Sequence, residues 1–494
     1  MTFQNTLSVV KLEKADLFRQ AAFIGGDWVS AASGATIPVD DPATGALLGT
    51  VPDCGVAETD QAIAAANAAF PAWRAKTAGE RAAILERWHA LVLDNVPDLA
   101  RIMTAEQGKP LAESEGEIRY AATFIKWFAE EGRRASGHDV LAPEANRRIF
   151  VMKEPIGVAA AITPWNFPAA MITRKCAPAL AAGCPVIVKP SDFTPYTALA
   201  LVRLAELAGL PAGTINVLTG RPEAIGSALT ASPVVRKLSF TGSTRVGSLL
   251  LRQCADTVKR TSLELGGNAP LIVFDDADLD LAVQSAMISK FRNAGQTCVC
   301  ANRILVQDSV HDAFAEKLAK AVTALRVGPG DVAGSTVGPL INAAAAQKVQ
   351  AHVDDALSHG ATLYASAENG MAYERFVAPV ILTGANSNML LASEETFGPV
   401  APLFRFTHEE EAIDLANATE YGLASYFYTD NIHRAFRVAE RLEAGMVALN
   451  TGTIAMEMAP FGGVKMSGLG REGGRAGLEE YLESKAFHIG GLKL

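Results

Sequence analysis

Cysteine, long apolar runs and excess positive charge are all scarce in this chain, and each shortage removes a class of protein. The six cysteines, Cys54, Cys176, Cys184, Cys254, Cys298 and Cys300, are scattered through 494 residues with no framework spacing and no CxxC pair. No disulfide scaffold is encoded, and a reducing compartment is expected. No stretch stays apolar for the roughly 18 residues a membrane span needs, and Met1 to Arg19 mixes charges with isolated apolar residues rather than forming a signal peptide. A cytoplasmic protein without a membrane partner is expected. The formal net charge of −9 argues against a nucleic-acid surface, although it leaves room for a local basic pocket holding a small anion. The eight histidines, among them His89, His352 and His359, have no partners at metal-ligand spacing and read as surface or core residues. No metal is expected.

What is present is length and alternation. A chain of 494 residues is too long for one core, so two or more domains are expected. Phe23 to Val29 reads as a hairpin turning on Gly25-Gly26, which tolerate the positive φ angles of a tight turn. Thr77 and Glu80 have capping-box spacing, followed by Ile84, Trp88, Leu91 and Val92 at helical intervals. From about Val151 short apolar runs predict strands at Val158–Ile162, Pro185–Val188, Ile215–Leu218 and Lys237–Phe240. Helices are predicted between them at Met171–Leu180 and Thr197–Ala208. Apolar strands alternating with helices predict a parallel sheet covered on both faces, with ligands beyond its carboxyl ends.

Candidate chemistry gathers at such ends. Lys189-Pro190-Ser191-Asp192 follows one predicted strand, and Phe240-Thr241-Gly242-Ser243-Thr244 follows another. The second reads either as a phosphate-binding turn or as a plain helix start capped by Ser243 or Thr244. Asp275 to Asp280 lacks the glycine and distal glutamate of a calcium loop and reads as the acidic start of helix Leu281–Ser289. Strand Ile304–Val306 and helix Val310–Leu325 then continue a second α/β domain. Phe461 to Glu472 is a glycine-dense loop, and Ala486 to Ile489 is a β-favouring segment that needs a partner, such as another subunit.

Within Phe291 to Cys300, Cys298 reads as a covalent nucleophile. A thiol with a pKa of about 8.5 is largely un-ionised at neutral pH, so a base or positive field is required. Arg292 and backbone N–H groups are the local candidates. The alternative makes Cys298 and Cys300 small apolar fillers on one face of a strand.

Seven motifs bear on that choice: Pro164-Trp165-Asn166-Phe167-Pro168, Lys189-Pro190-Ser191, Phe240-Thr241-Gly242-Ser243, Glu264-Leu265-Gly266-Gly267-Asn268, Gly295-Gln296-Thr297-Cys298, Glu395-Thr396-Phe397-Gly398-Pro399 and Pro460-Phe461-Gly462-Gly463. Together, and in this order, they resemble the aldehyde dehydrogenase superfamily. The resemblance implies that Cys298 attacks an aldehyde, that Asn166 and the Cys298 N–H stabilise the oxyanion, and that Glu264 activates water to hydrolyse a thioester. Lys175 and Glu472 match positions proposed to relay protons; the plainer readings are a helix-surface lysine and a loop carboxylate. Thr163, Pro164, Trp165, Lys189, Ser191, Asp192, Gly242, Ser243, Leu265, Glu395 and Phe397 would bind the cofactor. The acid at Asp192 favours NAD, with NADP left open.

Ile172-Thr173-Arg174-Lys175-Cys176 and Lys290-Phe291-Arg292-Asn293 resemble succinate-semialdehyde dehydrogenases. Arg174 and Arg292 match that group's substrate arginines, with Phe461 beside them. Ala455 stands where such enzymes often carry serine, so glutarate semialdehyde or another ω-semialdehyde is the runner-up. Cys300 resembles a cysteine that forms a reversible disulfide with the nucleophile. The implied architecture is α/β: a Rossmann-like cofactor domain (1–132 and 153–264), a second α/β catalytic domain (265–464) and a β oligomerisation arm (133–152 and 480–494), assembled as a homodimer or homotetramer. Two rivals are a cofactor-free cysteine hydrolase and a non-enzymatic binding protein. The ribose-binding motifs oppose the first, and the intact Cys298, Glu264 and Asn166 oppose the second.

Overall fold

A computed structural model describes residues 10–493; the start of the Met1 to Arg19 segment and of the 1–132 span lies outside the described residues. Two large sheets dominate. The first has eight strands, of which Arg260–Glu264, Val235–Thr241, Val158–Ile162, Val186–Lys189 and Ile215–Val217 run parallel in that spatial order. Ala159, Ala161, Val186 and Val188 pack into one core, while Val158, Ala160, Ile187 and Leu238 pack into another on the opposite face. Successive side chains of a strand point to opposite faces, so strands covered on both faces must be apolar throughout. That is the pattern visible in the sequence. The Phe23–Trp28 hairpin closes one edge, turning on Gly25 and Gly26 at φ 65° and 100°.

The second sheet has seven strands, with Ala269–Val273, Ala301–Gln307, Val400–Phe406 and Ala424–Tyr428 among them. It divides its core in the same way: Leu271, Val273, Ile304 and Val306 lie on one side, and Ile272, Leu305 and Phe427 on the other. Asp278 caps the helix Leu279–Phe291 through bonds from the Asp280 and Leu281 amides. The acidic run is thus a helix start. Thr77 and Glu80 form the predicted capping box.

Two sequence expectations are revised. Gly468–Leu469, inside the glycine-dense loop, is an edge strand antiparallel to Leu263–Glu264. The segment containing Ala486–Ile489 finds its partner within the chain: Leu482–Ile489 pairs with Arg148–Pro155 over eight positions. With His138–Val140 it makes a separate three-stranded sheet that leaves Phe150, Met152 and Phe487 exposed. Among the described residues no helix is long and apolar enough to cross a membrane, and no cluster of metal-ligating side chains is gathered.

Candidate active site

The carboxyl ends of the first sheet face the amino end of strand Ala301–Gln307, and the segment before that strand carries Cys298. Helix Leu279–Phe291 ends there because three successive residues, Asn293, Ala294 and Gly295, take left-handed φ angles of 51°, 55° and 76°. Asparagine tolerates that region, whereas alanine is strained in it. Side-chain bonds hold the turn: Asn293 Oδ1 accepts from Gln107 Nε2 at 2.9 Å, and Asn293 Nδ2 donates to the carbonyls of Asn166 at 3.0 Å and Gln296 at 3.2 Å. A Cβ at Gly267 would lie 2.4 Å from the Cys298 carbonyl oxygen, so only glycine lets the loop after Glu264 approach Cys298.

Cys298 opens into a cavity of about 300 Å³, whose wall includes Pro164, Trp165, Asn166, Gly242, Ser243, Leu265, Glu395 and Phe397. Its polar wall groups are already placed. The rings of Trp165 and Phe397 meet edge to face at 5.7 Å. Ser243 accepts from the Val246 amide as helix N-cap, so the capping reading is correct and the same residue also lines the cavity. Glu395 Oε1 accepts from the Gly267 amide at 3.0 Å, and burial lifts its carboxyl to about 7.

Asn166 Nδ2 donates to the Gln296 carbonyl at 3.0 Å, leaving its second N–H without an acceptor among the described residues. Burial pushes the Cys298 thiol up to about 12, helped by Glu395 and Glu264 and opposed by Arg174. Arg292 is not among the charges that lower it, contrary to the sequence expectation. Its exposed guanidinium sits 5.2 Å from the Phe167 ring instead.

Glu264 is buried, and neither carboxylate oxygen has a hydrogen-bond partner among the described residues. Burial and the nearby charge of Glu472 raise its pKa well above the carboxylate range. Gly462 closes over it, since a Cβ there would lie 2.8 Å from Glu264 Oε1. Lys175 is fully buried rather than a helix-surface residue. Its ammonium pairs with Glu472 and donates to Ser239 Oγ at 3.1 Å. Glu472 is therefore a buried partner rather than a loop carboxylate; burial alone would raise its pKa, but the neighbouring cations Lys175 and Arg174 outweigh it and hold the carboxyl below its ordinary value.

Lys189, Ser191 and Asp192 do not line the cavity. Lys189 Nζ bonds Asp192 Oδ1 at 2.5 Å and the Pro190 carbonyl at 2.8 Å, and Ser191 Oγ accepts from the Phe193 amide. Asp192 is thus an engaged acid, not a free acceptor. Thr163 also lies off the cavity, buried at the end of strand Val158–Ile162 with its hydroxyl unpartnered.

A second cavity of about 200 Å³ is lined by Tyr120, Arg292, Val299, Tyr426 and Ala455, among others. Arg174 and Phe461 line neither cavity; the guanidinium lies 4.1 Å from the Phe461 ring. Cys300 is buried with its sulfur 3.4 Å from Lys290 Nζ.

The aldehyde dehydrogenase family profile matches residues 28–487. The chain belongs to the aldehyde dehydrogenase family. A 3-sulfolactaldehyde dehydrogenase of Pseudomonas putida is 59% identical over 484 residues, covering 98% of this chain and all of that protein. An Escherichia coli succinate-semialdehyde dehydrogenase [NADP(+)] is 58% identical, covering 97% and 100%. The crystal structure of succinate-semialdehyde dehydrogenase from Burkholderia pseudomallei superposes with a TM-score of 0.96 at 59% identity, covering 97% and 100%. The protein is an NAD(P)-dependent oxidoreductase acting on an aldehyde.

This aldehyde dehydrogenase has a supporting layer that motif spacing did not single out. Lys109 is buried, donating to Glu117 Oε2 at 2.5 Å and to the Asn166 carbonyl at 2.8 Å. Glu117 Oε1 in turn accepts from the Ala169 amide at 2.9 Å, just ahead of helix Ala170–Ala182. Lys109 lies in the link before helix Leu111–Glu131, which carries Glu117, and no local pattern marks the pair. Tyr120 is the other omission, and no local pattern marks it.

Proposed function

We propose that the protein oxidises a short aldehyde carrying an anion at its far end, with succinate semialdehyde as substrate and succinate as product. The observation carrying this reading is that Arg292 lines the second cavity, on the residue run that bears Cys298. Cys298 gives its proton to Glu264, from which it passes toward Lys175 and Glu472, and the thiolate bonds the aldehyde carbon to give a thiohemiacetal. The free N–H of Asn166 and the Cys298 amide meet its oxyanion. A nicotinamide held there would supply the hydride acceptor that takes the thiohemiacetal to a thioester. The site suits such a group: the cavity is walled by Trp165 and Phe397, and a Cβ at Gly242 would lie 2.5 Å from Phe240, so the wall there stays open. Glu264 then takes a proton from water as its oxygen attacks the thioester, and Cys298 leaves with the acid released. Lys175 and Glu472 pass the proton onward.

Asp192 favours NAD by repelling a 2′-phosphate, and Lys189 and Glu395 take the ribose hydroxyls. The methyl of Ala455 leaves room in the second cavity, which favours glutarate semialdehyde as a second reading. Cys300 is proposed to trap Cys298 as a reversible disulfide; Cys300→Ala should abolish thiol-reversible inactivation by peroxide. The division into cofactor domain, catalytic domain and arm belongs to the same proposal. So does a homodimer or homotetramer built on the arm, supported by the exposed Phe150, Met152 and Phe487.

The test is initial rates with succinate semialdehyde, glutarate semialdehyde, 3-sulfolactaldehyde and butanal, using NAD and NADP. Arg292→Ala should lower the semialdehyde-to-butanal ratio of kcat/KM by roughly ten- to a hundredfold, as expected for losing a charged hydrogen bond. A wild-type ratio near one would defeat the reading.

A further inference from the structure

The second cavity offers a donor besides Arg292. Tyr120, on helix Leu111–Glu131, is half-buried and lines the same cavity as Arg292 and Ala455. Its Oη accepts an N–H from Arg174 Nη2 at 3.0 Å. A phenol has one donor and acceptor lone pairs, so this bond uses acceptor capacity and leaves the O–H free. Among the described residues that O–H has no acceptor. A phenol that accepts from a cation is polarised and becomes a stronger donor.

Arg174 itself is enclosed. Only 2% of it is exposed; the rings of Phe124 and Phe461 lie 5.0 and 4.1 Å from its guanidinium, and Glu472 Oε2 is 3.6 Å from Nη1. Its bond to a residue lining the cavity is the one to Tyr120, while Nε and Nη1 find no hydrogen-bond acceptor among the described residues. At Ala455 the cavity wall offers a methyl group and no donor.

We infer that the Tyr120 hydroxyl is the donor that grips the far-end anion of the substrate together with Arg292, and that Arg174 is a positioning residue acting through Tyr120. The inference rests on the anionic-aldehyde reading above and adds the residue that makes the contact. It also assigns to the ring beside Arg174 the donor that Ala455 lacks.

Tyr120→Phe keeps the ring and removes only the hydroxyl. For each variant the readout is kcat/KM for succinate semialdehyde divided by that for butanal, which cancels losses common to both substrates. Tyr120→Phe should lower this ratio about ten- to a hundredfold, mainly through KM for the semialdehyde. Adding Arg174→Lys to Tyr120→Phe should lower the ratio no further, because the arginine acts through the missing hydroxyl. Adding Ala455→Ser to Tyr120→Phe should recover part of the ratio by restoring a donor on the cavity wall. A Tyr120→Phe ratio equal to wild type, while Arg292→Ala collapses it, overturns the inference and leaves the substrate reading intact. A further large fall on adding Arg174→Lys overturns the assignment of Arg174. Absence of semialdehyde preference in the wild type removes the substrate reading, and the inference falls with it.

Discussion

Lys175 and Glu472, separated by 297 residues in the chain, form an ion pair closed to solvent, and Ser239 Oγ donates to the same Glu472 oxygen. The pair sets the electrostatics around Glu264, the proposed base. Glu472 is the charge that, after burial, contributes most to raising the Glu264 pKa, while Lys175 and Arg174 oppose it.

A base works only when ionised, so activity limited by Glu264 is lost as pH falls through its raised pKa, well above the ordinary carboxylate range. Glu472→Gln removes the negative neighbour and frees Lys175 and Arg174 to act on Glu264. Both changes favour the ionised form, so the acidic limb of the kcat profile should move to lower pH even if kcat itself drops. A limb that stays in place, or moves upward, contradicts the coupling.

The resting thiol is the second target. With its pKa raised to about 12, Cys298 is protonated across the physiological range, and alkylation requires the thiolate. Labelling of the free enzyme by iodoacetamide should rise about tenfold per pH unit up to at least pH 10, as fixed by the fraction ionised. Peptide mapping identifies Cys298 as the site. A plateau near neutral pH would mean that the free enzyme already holds the thiolate.

How much of this was readable from the chain depends on where each residue's partners lie. Val186–Lys189 and Ala269–Val273 are buried along their whole lengths, and a strand covered on both faces is legible as an apolar run. Gly468–Leu469 has only two residues, and its strand character comes from Leu263 and Glu264, about 200 positions away, so no local pattern encodes it. The family was legible because seven short motifs, spread from Pro164 to Gly463, occur together and in order. Lys109 was not: its role is set by Glu117 and the Asn166 carbonyl, and a lysine in a polar stretch resembles a surface residue. Lys175 was ambiguous for the same reason. Its neighbours in sequence give no hint of the Glu472 carboxylate, which reaches it only in the fold.

Asp192 is the proposed determinant of cofactor choice. Its carboxylate is held by Lys189 at 2.5 Å and would confront a 2′-phosphate with like charge. Asp192→Asn removes the repulsion and releases Lys189 toward the phosphate. Charges 4 Å apart interact by about 1 to 4 kcal/mol between water and a protein surface, so the NADP-to-NAD ratio of kcat/KM should rise at least about fivefold. An unchanged ratio would show that the 2′ position lies away from Asp192.

Lys109 offers a way to separate positioning from folding. Its ammonium is enclosed with Glu117 and also donates to the Asn166 carbonyl, so it holds the backbone that carries the amide proposed to meet the oxyanion. Lys109→Met leaves Glu117 as an uncompensated buried charge, a change that destabilises by about 3 to 5 kcal/mol. In Lys109→Met/Glu117→Met both charges are gone, and much of that stability should return, since an apolar pair of similar volume often equals or exceeds a buried ion pair. Activity should not return with it. The Asn166 carbonyl still lacks its ammonium donor, so kcat should stay depressed by tenfold or more, about 1.4 kcal/mol, while KM changes little. Denaturant melts and steady-state rates on the two variants give the answer: recovery of kcat in parallel with stability would make Lys109 a folding residue only, whereas stability without kcat places it in the support of Asn166.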